Sequence, residues 1–469
     1  MVIFNASKYF VKFGQRFPSY VSRSLQSSSL SHNYADVIIV GGGMVGTSIA
    51  CALGQSLYFR NKHVLLLESA PDSSVKDTKN SMYSNRVSAI APGSRKFLEG
   101  IGVWDEIEKR RYWSFDKMQV WDACSPGAIS FNSHDIGSVD VAYIIENTVI
   151  VESCLARAKQ LNSVIDICFG SKVDKIHFPS NKTESSDELI SLSLPNGSTY
   201  KTKLLLGVDG FNSFVRKAAH IGTVNYDYKQ WALVSTLHIE HTENKTAWQR
   251  FLPTGPIALL PLNNYFSSLV WSSTKDHCQE LMKMTDEAFV GCINEAFLSQ
   301  NSNKVTDNTA GFFRSALSIM QPGRYASIKR ISPPQVIQMV ENSREMFPLF
   351  LTHSPIYVKT RLALVGDAAH RVHPMAGQGV NLGFADVSCL VRVLEDTIAC
   401  GGDYGTLENL LPYETQRQRH VLPVMLTIHS LNHLFSTSNL PLVLARSFGL
   451  HVTDSLSAVK NFISRQAMG

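Results

Sequence analysis

The segment Gly41-Gly42-Gly43-Met44-Val45-Gly46 constrains this chain more than any other. It follows the apolar run Val37-Ile38-Ile39-Val40 and opens a stretch of small and apolar residues, Thr47 to Leu57, before a second apolar run, Val64-Leu65-Leu66-Leu67. Two buried-strand patterns joined by a helix-length segment predict a βαβ unit. Glycines at 41, 43 and 46 permit a tight turn and a close backbone approach. The helix that follows aims free N–H groups and a positive dipole end at a pyrophosphate. Glu68 closes the second strand 22 residues after Gly46, placed to accept hydrogen bonds from ribose hydroxyls. The glycine triplet alone is equally a plain turn; with both strands, the helix and the acid it reads as a dinucleotide site.

Two more motifs follow. Asp209-Gly210-x-x-Ser213-x-x-Arg216 comes after the apolar strand Leu204 to Val208. It is either a strand end with a capped helix or a second piece of the ligand site. The third run is Gly366-Asp367-Ala368-Ala369-His370, then His373-Pro374, then Gly377-Gln378-Gly379-x-Asn381. Asp367 ends a buried strand and is placed to hold a ribityl hydroxyl. The glycines let backbone N–H groups and a helix start close on a ring carbonyl. His370 and His373 also have the spacing of two metal ligands, but no third ligand is near, so no metal is expected.

Hydrophobic residues make up 44% of the 469 and charged residues 18%, the balance of a core-forming globular chain. No apolar run reaches spanning length. The net charge of +5 comes largely from Lys8, Lys12, Arg16 and Arg23; the rest carries 40 basic and 39 acidic residues, which gives no basis for nucleic-acid binding. Residues 1–33 hold eight serines, those four basic residues and no acid, with Ile3, Phe10, Phe13 and Phe17 opposite the basic face of a helical wheel. That is the pattern of a mitochondrial transit peptide, the alternative being a surface-binding tail. Eight cysteines without a Cys-x-x-Cys pair predict reduced, mostly buried thiols.

In order and spacing the three motifs resemble the aromatic-hydroxylase group of FAD-dependent monooxygenases. The fold implied is α/β: a Rossmann-like FAD-binding domain (p-hydroxybenzoate hydroxylase-like) with an inserted β-sheet substrate domain and C-terminal helices. On this chain the FAD domain falls at 34–111 with 148–224 and 331–405, the substrate sheet at 112–147 with 225–330, and the helical region at 406–469. The resemblance places Asp209 and Gly210 near the pyrophosphate and Asp367 on the ribityl chain. It places Pro374 and Gly377, Gln378, Gly379 and Asn381 around the isoalloxazine.

A narrower resemblance rests on Ser84-Asn85-Arg86-Val87-Ser88, Trp248-Gln249-Arg250-Phe251-Leu252-Pro253, Gly255 to Leu262, the Gly366 to Pro374 run and Tyr413-Glu414-x-x-Arg417-x-Arg419. These are similar to the mitochondrial ubiquinone-biosynthesis monooxygenases. The family implies hydroxylation of a polyprenylated phenol or benzoate through a flavin C4a-hydroperoxide. It also implies electrons from a ferredoxin and its reductase, a multi-protein biosynthetic complex, and peripheral contact with the matrix side of the inner membrane. Arg86 is then a cofactor neighbour or an ordinary structural arginine. Trp248, Gln249, Arg250 and Phe251 line the entrance of the substrate cavity or simply pack in a sheet. The segments Val421–Leu426 and Leu440–Leu450 lie on a bilayer or partner, or are buried helices. Two other readings use the same residues: an epoxidase or a hydroxylase of a smaller aromatic, and a non-catalytic prenyl-binding protein on the same fold.

Overall fold

The computed structural model describes residues 33–72, 82–125, 127–179, 188–298 and 332–437, with scattered positions to 449. The segment before residue 33, read above as a transit peptide, lies outside the described residues.

The strand Tyr34–Val40 is the centre of an eight-stranded sheet. It pairs in parallel with Val64–Leu67 on one side and with Thr199–Gly207 on the other. The sheet extends in parallel to Ile165–Cys168 and to Leu362–Leu364. These strands read as unbroken apolar runs because helices cover them, and Val37, Ile38, Ile39 and Leu66 are fully buried. The helices Met44–Gln55, Asn147–Gln160 and Gln378–Ala399 supply much of that cover.

A nine-stranded sheet forms the second half. Its core strands are Val224–Ile239, Phe266–Thr274, Gly255–Pro261 and Thr246–Leu252, antiparallel in that order, followed by a parallel pairing to Lys117–Asp122. The helices Lys275–Lys283 and Asp286–Leu298 close one face over Leu233, Leu237, Trp248, Ile257 and Trp271. A three-stranded sheet of Val87–Ile90, Ala142–Glu146 and Trp113–Phe115 sits between the halves.

Several sequence expectations are corrected. Strands Val336–Met339 and Glu345–His353 hydrogen-bond to Val224–Ile239, so residues up to 353 belong with the second sheet and the boundary expected at 331 lies further on. Residues 113–115 and 142–146 join Val87–Ile90 rather than the large sheet. Two short helices, Pro92–Gly100 and Trp104–Lys109, are parted at Gly102 with φ +71°. Arg446 does not face a bilayer: its guanidinium is buried in a two-pronged pair with Asp122 at 2.9 and 3.0 Å.

Candidate cofactor and substrate site

The first two motifs meet at Gly41. Its φ is +112°, and a Cβ there would lie 2.5 Å from the Val208 carbonyl oxygen and 2.9 Å from Asp209 Cα. Only glycine fits where the two chain segments cross. A Cβ on Gly46 would collide with the Gly41 carbonyl oxygen, whereas Gly43 faces open space, as a backbone that must admit a ligand does. Glu68 stands beside the loop and accepts hydrogen bonds from the Gly42 and Ala70 N–H groups. Its carboxylate therefore braces the turn.

Asp209 acts on its own chain. Its carboxylate accepts from the Phe214 and Val215 N–H groups at 2.6 and 3.0 Å and from the Ser213 hydroxyl, capping the short helix Phe214–Ala218. Gly210 turns the chain at φ +80°. Arg216 then ties the second motif to the third. It is 5% exposed, and donates to the Ala368 carbonyl at 2.6 Å and the Phe211 carbonyl at 2.8 Å.

The third motif closes over the first through Val45, whose methyl lies 2.6 Å from where a Cβ on Gly383 would be and 3.4 Å from one on Gly366. Behind Gly366 lies a buried network that sequence reasoning missed. Asp386 is fully buried, accepts from the Gly366 N–H at 2.9 Å and from Arg417 Nε at 2.6 Å, and sits 2.6 Å from His370 Nε2. Burial works to raise its pKa, but His370 and Arg417 outweigh it and hold the carboxyl below its ordinary value. The i, i+4 spacing of Leu382, Asp386 and Leu390 on an apolar helix face was the available signal.

Asp367 contrasts with Asp386. Its carboxylate is open to solvent but walled by protein, as a group lining a cleft is, and it has no hydrogen-bond partner among the described residues. That desolvation raises its pKa, against the opposing pull of Arg371 and His370. Gly377, at φ +61°, starts the helix Gln378–Ala399, and Gly379 faces open space. An unpartnered carboxylate, two glycines with open space and a helix start in one cleft fit FAD.

Asn381 is not free to meet a ligand: it donates to the Ala89 and Gly377 carbonyls and accepts from the Ala91 N–H, stitching the helix to the small sheet. Arg86 is largely exposed and pairs with Glu345 at 3.2 Å. His370 and His373 each spend a ring nitrogen on the protein, His370 Nε2 lying 2.6 Å from Asp386. His373 Nδ1 accepts from the Met375 N–H and caps the turn Pro374–Ala376, and no group of three or more metal-ligating side chains occurs among the described residues.

Strand alternation decides which side chains of the large sheet meet this site. Phe251 packs with Met375 in the Pro374–Ala376 turn, and Leu260 clusters with Ala89, the neighbour of Gly377. Gln249, Ala258 and Val270 pair across adjacent strands on that same face. Trp248 and Arg250 point the other way. Trp248 joins the helix-covered cluster, and Arg250 donates to the Ala296 carbonyl at 2.8 Å. Of the four residues expected at the substrate cavity, Gln249 and Phe251 hold that face, whereas Trp248 and Arg250 are corrected to the helix-covered side. Ala258, Leu260 and Val270 are partly accessible although they lie mid-sheet, so a cleft opens there. Gln249 is 6% exposed, with no side-chain hydrogen-bond partner among the described residues.

A family model for an FAD binding domain matches residues 352–425. Among solved structures, p-nitrophenol 4-monooxygenase PnpA from Pseudomonas putida DLL-E4 superposes with a TM-score of 0.67 at 17% identity, covering 93% of this chain and 99% of that one. PqsL from Pseudomonas aeruginosa, a probable FAD-dependent monooxygenase, gives 0.65 at 20% identity, covering 90% and 100%. These likenesses establish the fold. With the glycine loop, Asp367 and the flavin-side turn, the chain is an FAD-dependent monooxygenase of the p-hydroxybenzoate hydroxylase-like class.

Sequence relatives narrow this further. The mitochondrial ubiquinone biosynthesis monooxygenase COQ6 of Danio rerio is 45% identical over 93% of this chain and 90% of its own length. The human COQ6 is 44% identical over 91% of each. The chain belongs to the COQ6 family of mitochondrial ubiquinone biosynthesis monooxygenases.

Proposed function

We propose that this enzyme hydroxylates a ring carbon of a polyprenylated phenol or benzoate precursor of ubiquinone. The observation that carries this is the partly accessible, mostly apolar face of Ala258, Leu260 and Val270, opposite the Pro374–Gly377 turn. An aromatic ring fits between such a face and a flavin, and Gln249 offers the face one hydrogen-bonding group for a ring oxygen. Bound FAD supplies the redox chemistry, activating dioxygen so that one oxygen atom passes to the ring.

The chain's own residues then bind, orient and exclude water. Gly43 to Gly46 would present N–H groups to the pyrophosphate, with Glu68 beside the ribose. Asp367 accepts from a ribityl hydroxyl. The N–H groups at Gln378 and Gly379, at a helix start, would face the flavin ring and favour negative charge on it. Asp209, Gly210, Arg216 and Asn381 hold these segments in register rather than touching the ring. Arg86, paired with Glu345, belongs to the rim.

The enzyme works in the mitochondrion, and we place it peripherally on the matrix side of the inner membrane. Support comes from Leu422 and Leu426, four residues apart and exposed on the helix Leu407–Phe435. No helix of the described residues is long and apolar enough to cross a membrane. A ferredoxin and its reductase as electron source, and association with other ubiquinone-synthesis proteins, complete the proposal.

Lipid mass spectrometry on cells lacking the protein tests it. Loss of ubiquinone with accumulation of a prenylated phenol short of one ring oxygen is expected. Normal ubiquinone would reject the pathway.

A further inference from the structure

A chain of rings links the flavin-side turn to the surface. His373, fully buried, precedes Pro374. Its ring lies edge-on to Tyr228, with centroids 5.0 Å apart. Tyr228 and Tyr226 are two residues apart on one strand face, with centroids at 5.1 Å. His429 and His433 are one helical turn apart, with centroids at 4.6 Å. Each phenol meets an imidazole: the Tyr228 hydroxyl is 3.3 Å from His429 Nδ1 and the Tyr226 hydroxyl 3.1 Å from His433 Nε2. Exposure rises outwards, from Tyr228 at 9% to Tyr226 at 39%.

What this chain can carry follows from its contacts. His373 spends Nδ1 on the Met375 N–H and Nε2 on the Gln230 side-chain oxygen at 3.3 Å, so neither nitrogen serves Tyr228. Protons therefore do not pass from His373 to Tyr228, whereas electrons cross such a ring contact. A phenol is readily oxidised and very hard to reduce, so the direction of use is oxidising equivalents outwards. Burial and Tyr226 push the Tyr228 phenol up to about 12, so it holds its proton. Burial and His433 push His429 down, so its neutral ring is ready to accept one.

We propose that Tyr228, His429, Tyr226 and His433 form a relay that drains one-electron oxidants from the site to the surface. An oxygenase whose reduced flavin loses a single electron to dioxygen releases superoxide, whose protonated form is such an oxidant. Tyr228 gives one electron to this hydroperoxyl radical, which becomes hydroperoxide, and the phenolic proton moves to His429 Nδ1. Tyr226 then returns an electron to Tyr228, which regains its proton from His429, while the Tyr226 proton moves to His433 Nε2. A soluble thiolate gives Tyr226 one electron at the surface and becomes a thiyl radical, while Tyr226 takes its proton back from His433. The relay spares the buried thioethers of Met375 and Met425, which sit near its inner end. It rests on the oxygenase reading of the site but not on any particular substrate.

The test uses the FAD-loaded full chain, without oxygen, with light-excited flavin as the one-electron oxidant and a nitroso spin trap read by peptide mass spectrometry. Flavin content of each variant is checked first. Trapping at Tyr226 is expected in the parent and lost in Tyr228→Phe and in His429→Gln, the second of which keeps both phenols. Tyr265→Phe, an exposed tyrosine elsewhere, leaves it unchanged. No trapping in the parent, or undiminished trapping in either relay variant, overturns the proposal. If Tyr228→Phe fails to hold flavin, His429→Gln decides alone. Because excited flavin replaces the physiological oxidant, failure here leaves the hydroxylase reading standing.

Discussion

The two walls of the active cleft present different parts of the chain to what they bind. The cofactor wall, on the eight-stranded sheet, offers backbone: the turns at Gly41, Gly43, Gly377 and Gly379, with one side chain, Asp367, standing free. The substrate wall, on the nine-stranded sheet, offers side chains: Gln249, Ala258, Leu260 and Val270. Backbone recognition demands glycine at set positions and buried polar bracing behind it, which Asp386, Arg216 and Asn381 supply. Side-chain recognition demands only that the right residue fall on the right face. The cofactor wall is therefore costly to damage from behind, while the substrate wall tolerates change and tunes specificity.

Four outcomes would break or sharpen that contrast. Asp386→Ala strands Arg417, 7% exposed, as a buried charge without its anion. A loss of about 3–5 kcal/mol in denaturant unfolding is expected. A near-neutral result would show that the bracing is dispensable.

His373 is next in size. Burial lowers its pKa from 6.5 to about 4. Between those values the unfolded chain binds a proton that the folded chain does not, so stability is complete above 6.5 and lost as pH falls towards 4. The loss should be about 3 kcal/mol, and His373→Gln should remove that slope from a pH series of unfolding curves.

Asp367→Ala should weaken FAD binding by about 1–3 kcal/mol in a flavin titration, since a ribityl hydroxyl loses its acceptor. Because burial raises the Asp367 pKa, the fold itself should not weaken, which separates this residue from Asp386.

Gln249→Leu should leave flavin content intact and raise KM for the phenolic substrate, by about 0.5–1.5 kcal/mol of lost binding. A drop in FAD affinity instead would mean the two walls are not independent.

The contrast also explains what could be read in advance. Gly41, Gly46 and Gly377 were legible because a positive φ or a close approach leaves no substitute, and Asp367 because it ends a strand inside such a motif. Trp248 and Arg250 misled because they stand out chemically. A tryptophan and an arginine in a sheet attract functional roles, yet one step along the strand reverses the face, and both turn towards the helix Asp286–Leu298. Asn381 was placed beside the flavin by its motif, but its three hydrogen bonds go to the protein. The strand Glu345–His353 was assigned to the wrong half because strand patterns show burial and not the partner.

By itself the sequence determined the βαβ opening, the three-motif order and hence the cofactor, since these are local: each needs only neighbouring residues, and glycine's conformational freedom marks them directly. The tertiary structure alone decided which face of the large sheet meets the flavin turn, which acid is buried bracing and which is left for the ligand, and that Arg446 closes on Asp122 across 324 residues. Those outcomes depend on long-range packing and desolvation, which no local pattern encodes.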